Sequence, residues 1–182
     1  MSVYFGGSRS LPAQCFPLVG LVVAQVVASG QSVHVGCQFG ADQQVTQSCP
    51  PLSLFVFTVA AHLQATPAHV QRVARAGASV VCGAGGVSAP VPARYLLRSI
   101  AAFRGCSQAV FFAPGTGSLA VARQCVRAGL PVFAFNISLA CGASPMSAPP
   151  PRVPSVSGQW VTSSFMGFAC WQWSAPQQAS LF

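Results

Sequence analysis

Residues 109–135, AVFFAPGTGSLAVARQCVRAGLPVFAF, contain a strand, a glycine turn, a helix and a second strand in unbroken succession. Ala109 to Ala113 is a continuous apolar, partly aromatic run, which reads as a buried strand, and PGTGS turns the chain. Leu119 to Ala128 reads as a helix, Gly129 closes it, and Pro131 to Phe135 is the next strand. The pattern repeats upstream. Val3 to Phe5 is a short strand ending in GGSR, Ala13 to Ser29 is a helix with a broad apolar face closed by Gly30, and Ser32 to Val35 is a strand running into GCQFGAD. Leu54 to Thr58 is β-branched and aromatic, a strand again. Thr66 and Pro67 open a helix, the hydroxyl as cap and the proline at the first helical position, and Gly77 ends it. Ser79 to Cys82 is a strand before GAGG (83–86), and Pro92 to Arg104 is helical.

Short continuous apolar strands separated by helices predict an α/β protein with a Rossmann-like, doubly wound, mostly parallel sheet of about six strands and helices on both faces. Ligands bind such sheets outside the carboxyl ends of the strands. The glycine-rich segments GGSR, GCQFGAD, GAGG and APGTGS all fall there.

Three parts are expected: residues 1–140 as the Rossmann-like domain, 141–158 as a Pro/Ser-rich linker or strap with PPP at 149–151, and 159–182 as an aromatic-rich segment. The last carries Trp160, Trp171 and Trp173, which are expected to pack back on the domain, with a stacking surface for bases as the alternative.

Composition narrows the chemistry. With 52% hydrophobic residues in 182, the chain can build a core, which excludes disorder for most of its length. The formal charge of +8 comes from nine arginines (9, 72, 75, 94, 98, 104, 123, 127 and 152) against one acidic residue, Asp42. Arginine presents a planar, permanently charged fork, so the excess favours a nucleotide or a single-stranded nucleic acid as partner, against a surface that merely lacks acids. Eight cysteines without CxxC or metal spacing read as reduced, buried thiols, so no metal site and no disulfide framework is expected. His34, His62 and His69 read as core or surface histidines. The start MSVYFGGSR lacks a signal-peptide pattern, and the apolar runs Leu18–Ala28 and Leu54–Ala61 are too short to span a bilayer, so a cytoplasmic protein without membrane contact is expected.

The candidate site follows from the glycine turns. In APGTGS, Gly115 and Gly117 let the backbone approach a phosphate, and the free amides of a helix start with the hydroxyls of Thr116 and Ser118 can bind the anion. A tight turn that needs glycine is the competing reading, and the absence of a following lysine excludes a Walker loop. GGSR adds Gly6, Gly7, Ser8 and Arg9 on the same edge. GCQFGAD adds Gly36, Gly40 and Asp42, and GAGG adds Gly85. Arg98 in RYLLRS is a second phosphate candidate, and Arg94 one turn earlier shares its face. Asp42, at the expected start of a helix, is suited to cap free amides, to hold Arg9 or to bond a ribose hydroxyl. A lone carboxylate is a poor acid–base pair, so no catalytic residue is assigned.

These segments resemble the SLOG superfamily, which joins LOG-type nucleotide hydrolases and the Rossmann domains of DNA-processing protein A (Smf). The resemblance covers residues 1 to about 136 and leans towards the DNA-processing branch. It is carried by Gly7, Ser8 and Arg9; by Gly36, Gly40 and Asp42; by Arg98; by Gly117, Ser118 and Leu119; and by Val132, Phe133 and Ala134. LOG-type hydrolases use a glutamate shortly after PGGxGT, and the corresponding stretch here is Leu119, Ala120, Val121, Ala122. A hydrolase would therefore lack its acid–base group. The resemblance implies a nucleotide-phosphate or single-stranded DNA binding protein of replication, repair or recombination type, non-catalytic and without a cofactor. A sensor of a free nucleotide-derived ligand is the alternative, and a hydrolase dependent on Asp42 is the third reading.

The final residues QASLF (178–182) resemble the bacterial sliding-clamp-binding peptide, with Gln178 at the groove rim and Leu181 and Phe182 in an apolar groove. A tail folded on its own domain is the alternative. Association between copies of the chain stays open.

Overall fold

A computed structural model describes residues 1–86, 88–136 and 148–175. Six parallel strands come first: β1 (Ser2–Gly7), β2 (Ser32–Val35), β3 (Leu54–Phe57), β4 (Ser79–Val81), β5 (Gln108–Phe112) and β6 (Val132–Phe135). They alternate with α1 (Phe16–Ala28), α2 (Ala41–Ser48), α3 (Ala68–Arg75), α4 (Val91–Phe103) and α5 (Thr116–Arg127). Two antiparallel strands follow, β7 (Gln159–Phe165) and β8 (Phe168–Ser174), and the sheet order is β4-β3-β2-β1-β5-β6-β8-β7.

The sheet is therefore mixed and eight-stranded, two strands wider than the sequence predicts. The additional pair comes from the aromatic segment. Phe165 pairs with Phe168 across the two-residue turn Met166–Gly167, both at positive φ (51° and 84°), the geometry that matches the twist of a hairpin. β8 then joins β6 through Phe133 opposite Gln172 and Ala134 opposite Trp171.

Strand alternation feeds two cores. Val3, Phe5, Val110, Phe112, Phe133 and Phe135 face one side, where Val19, Val22, Val23 and Val26 of α1 and Val45 of α2 close over them. Tyr4, Ala109, Phe111, Val132 and Ala134 face the other, under α4 and α5. Runs such as VYF and AVFF are apolar at every position because both faces are covered. Phe165 belongs to the first core and Trp173 to the second, so the hairpin is part of the fold. The segment before it is held as well: Val153 is buried, and Trp160 donates its indole Nε1–H to the Pro151 carbonyl at 3.0 Å.

Local details depart from expectation at two helix starts. Thr66 does not cap α3, because its hydroxyl donates back to the Leu63 carbonyl at 2.7 Å, and Pro67 itself is the cap residue. α5 begins at Thr116 and not at Leu119, so Thr116 and Ser118 lie inside its first turn. The clamp-like peptide with Gln178, Leu181 and Phe182 lies outside the described residues. Among the described residues no helix is long and apolar enough to cross a membrane.

Candidate functional site

The chain winds outward from β1 through β2 and β3 to β4, then returns to β5 and β6 on the other side. The loops leaving β1 and β5 diverge at that reversal, and such a switch point opens a crevice at the carboxyl edge. A pocket of about 720 Å³ occupies it, lined by residues from the β1 and β5 loops, the β2 loop and the pocket face of α4.

Of the expected site residues, Gly6, Gly7, Ser8, Arg9, Asp42, Arg98, Gly115, Gly117 and Ser118 line this pocket. Gly115, the cap residue of α5, gives no side-chain cap, so the first-turn amides of α5 are left without one at the edge of the pocket, where Gly115, Gly117 and Ser118 line it. Ser118, expected to donate to an anion, donates to the Gly7 carbonyl at 2.7 Å and straps α5 to β1. Thr116 is exposed at the helix start, outside the lining.

Arg9 is exposed, and its guanidinium carbon lies 5.4 Å from the centre of the Tyr95 ring. Stacking on an aromatic face holds the cation without neutralising it. Arg98 lies under the same ring at 5.7 Å but is 5% exposed.

Asp42 does not hold Arg9. Its Oδ2 accepts from Arg98 Nη1 at 3.2 Å and from the Gln38 amide at 3.2 Å. The reason is positional: Asp42 sits in the first turn of α2 after Gly40, and its carboxylate turns inward beneath the β2 loop instead of capping α2. Burial pushes its carboxyl above the ordinary carboxylate range, and Arg98, Gln38 and His69 oppose that push. Arg98 also donates Nη2 to Ser99 Oγ at 3.1 Å and Nη1 to Cys37 Sγ at 3.8 Å, while its buried Nε has no partner among the described residues. Burial raises the Tyr4 hydroxyl far above the ordinary tyrosine value, with the Asp42 carboxylate adding to it.

Three expected glycines serve packing. A Cβ on Gly36 would occupy the space of the Arg98 guanidinium and the Asp42 carboxylate, so this glycine makes room for the pair. Gly40, at φ 73°, lies against the Ser8 and Arg9 carbonyls, and Ala41 N donates to the Ser8 carbonyl at 2.9 Å. Gly85 packs on the Arg94 carbonyl. Arg94 itself turns away from the pocket, its Nε donating to the Ala89 carbonyl at 2.5 Å.

The sequence reading did not single out Tyr4, Gln38, Tyr95, Leu96, Ser99 and Phe111, all of which line the pocket. Tyr4 and Phe111 read as ordinary core of apolar strands. Tyr95 was accessible, since it stands three residues before Arg98 and so shares its helix face.

No protein-family model and no curated protein matches the chain. Solved structures do. DNA processing protein A from Helicobacter pylori superposes with a TM-score of 0.65 at 14% identity, over 79% of this chain and 68% of that one. The fold resembles that of DNA processing protein A. The Streptococcus pneumoniae protein of the same name gives a TM-score of 0.59 at 21% identity over 79% of this chain, which spans only 53% of that protein. The Helicobacter protein binds single-stranded DNA.

Proposed function

We propose that the pocket holds a phosphate of a single-stranded nucleic acid, as a non-catalytic binding site of DNA-processing type. The observation that carries this reading is Arg9, an exposed cation stacked on Tyr95 at the mouth of a switch-point pocket beside the uncapped amides of α5. The surplus of eight positive charges supports it, as does the likeness to a protein that binds single-stranded DNA. In this reading residues 1–140 are a SLOG-like binding domain in a cytoplasmic protein, and Gln178, Leu181 and Phe182 dock on a sliding clamp.

Catalysis is disfavoured because Asp42, the chain's one acidic residue, is engaged by Arg98, and a carboxylate so held is a poor proton carrier. A second reading, a free nucleotide-derived ligand, is favoured by the pocket volume of about 720 Å³, which lies in the range of small-ligand sites. A thermal-shift panel separates the two, because a ligand that binds only the folded state raises apparent stability. Short single strands raise Tm under the first reading. Stabilisation by mononucleotides with none by oligonucleotides supports the second and removes the first.

A further inference from the structure

The loop between β2 and α2 places a large apolar ring at the surface. Phe39 is 62% exposed. Single exposed apolar residues are common, so exposure alone carries nothing. Its surroundings do. Gln38, the residue before it, lines the pocket, and Gly40, the residue after it, packs on the carbonyls of Ser8 and Arg9. Arg9 thus has one ring, Tyr95, against its guanidinium and a second, Phe39, on the turn packed against its own backbone.

The Phe39 ring also has a buried aromatic neighbour. His69 lies 5.9 Å from it, centroid to centroid, at an interplanar angle of 53°, and is itself 6% exposed with Nε2 lacking a partner among the described residues. A ring beside a buried side chain and open to solvent is a stacking surface. Cationic groups interleaved with such rings are how proteins hold single strands without reading sequence, because every base has a π-face.

A mononucleotide in the pocket ends there, whereas a strand continues over the rim. We propose that Phe39 is a base-stacking platform outside the pocket, which takes the nucleotide adjoining the one whose phosphate is held at Arg9. It thereby favours a single strand over a free nucleotide. This inference rests on the nucleic-acid reading given above.

The test is fluorescence anisotropy with a labelled short oligothymidylate across a salt series, alongside calorimetry with thymidine monophosphate. Phe39→Ala weakens oligothymidylate binding about tenfold. The slope of log K against log salt stays unchanged, since no charge is removed. The ratio of oligothymidylate to monophosphate affinity falls by the same factor. Phe39→Trp retains binding, and its added indole emission is quenched by the strand. If Phe39→Ala keeps full affinity while Arg9→Ala loses it, the platform is refuted and the phosphate site stands. If the unmodified protein binds no oligothymidylate, both are refuted.

Discussion

Arg98 Nη1 donates to Asp42 Oδ2 at 3.2 Å, in a position where the two residues are 5% and 6% exposed. The chain's one acidic residue is thus committed to a structural pair linking α4 to the first turn of α2, in the lining of the pocket.

Breaking a buried pair strands a charge, and this typically costs about 3–5 kcal/mol. Asp42→Ala and Arg98→Ala should each lower stability by about that much in urea titration. The double replacement Asp42→Leu with Arg98→Met removes both charges and should cost clearly less than the sum. Additive losses would show that the pair is not coupled.

Gly36→Ala tests the same contact sterically. Its Cβ would enter the space of the guanidinium and carboxylate, and overpacking of this kind costs about 1–3 kcal/mol. In an Arg98→Ala background part of that penalty should vanish, because the nearer of the two colliding groups is gone while the Asp42 carboxylate remains. An equal loss in both backgrounds would assign Gly36 another role.

Phe165 is 3% exposed, and its ring lies 5.0 Å from that of Phe133 on β6. Phe165→Ala should therefore cost about 3–5 kcal/mol in a single cooperative transition. A separate early transition would mean that the hairpin unfolds independently of the parallel sheet.

Stability should peak between neutral pH and about pH 8. Burial lowers His34 and His69 below the ordinary 6.5, so folding favours their neutral form; their contribution is full above 6.5 and is lost as pH falls through the folded values. His34→Asn should flatten that limb, as His34 Nδ1–H donates to the Ala102 carbonyl at 2.8 Å. On the alkaline side, burial raises the Cys49 and Cys106 thiols to about 12 and Cys170 to about 11; their contribution is full below 9.0 and is lost above it. Asp42, raised by burial, acts in the opposite sense to the histidines, its contribution being full below 3.8 and fading as pH rises. Tm measured across this range checks the two limbs, and an alkaline limb without loss would contradict the buried-thiol account.

The parallel core was legible because strands buried on both faces announce themselves as unbroken apolar runs such as AVFF at 109–112. The hairpin was not recognised, although FMGF places a two-residue, glycine-bearing turn between two aromatic runs. Its tryptophans predict packing against the domain, whereas a hairpin is announced by period-two pairing on either side of the turn. At the site, glycine turns and Arg9 were readable from local sequence. The pairing of Asp42 with Arg98 was not, because it joins residues far apart in the chain whose meeting depends on how α4 lies across β1 and β2.

The most direct test of the central claim is the salt dependence of oligothymidylate binding by the unmodified protein and by Arg9→Ala. Each phosphate neutralised on a single strand contributes about −0.7 to the slope of log K against log salt. The account predicts a negative slope that becomes shallower by about 0.7 in Arg9→Ala, with weaker binding. Binding that is independent of salt, or identical in the two proteins, would contradict it.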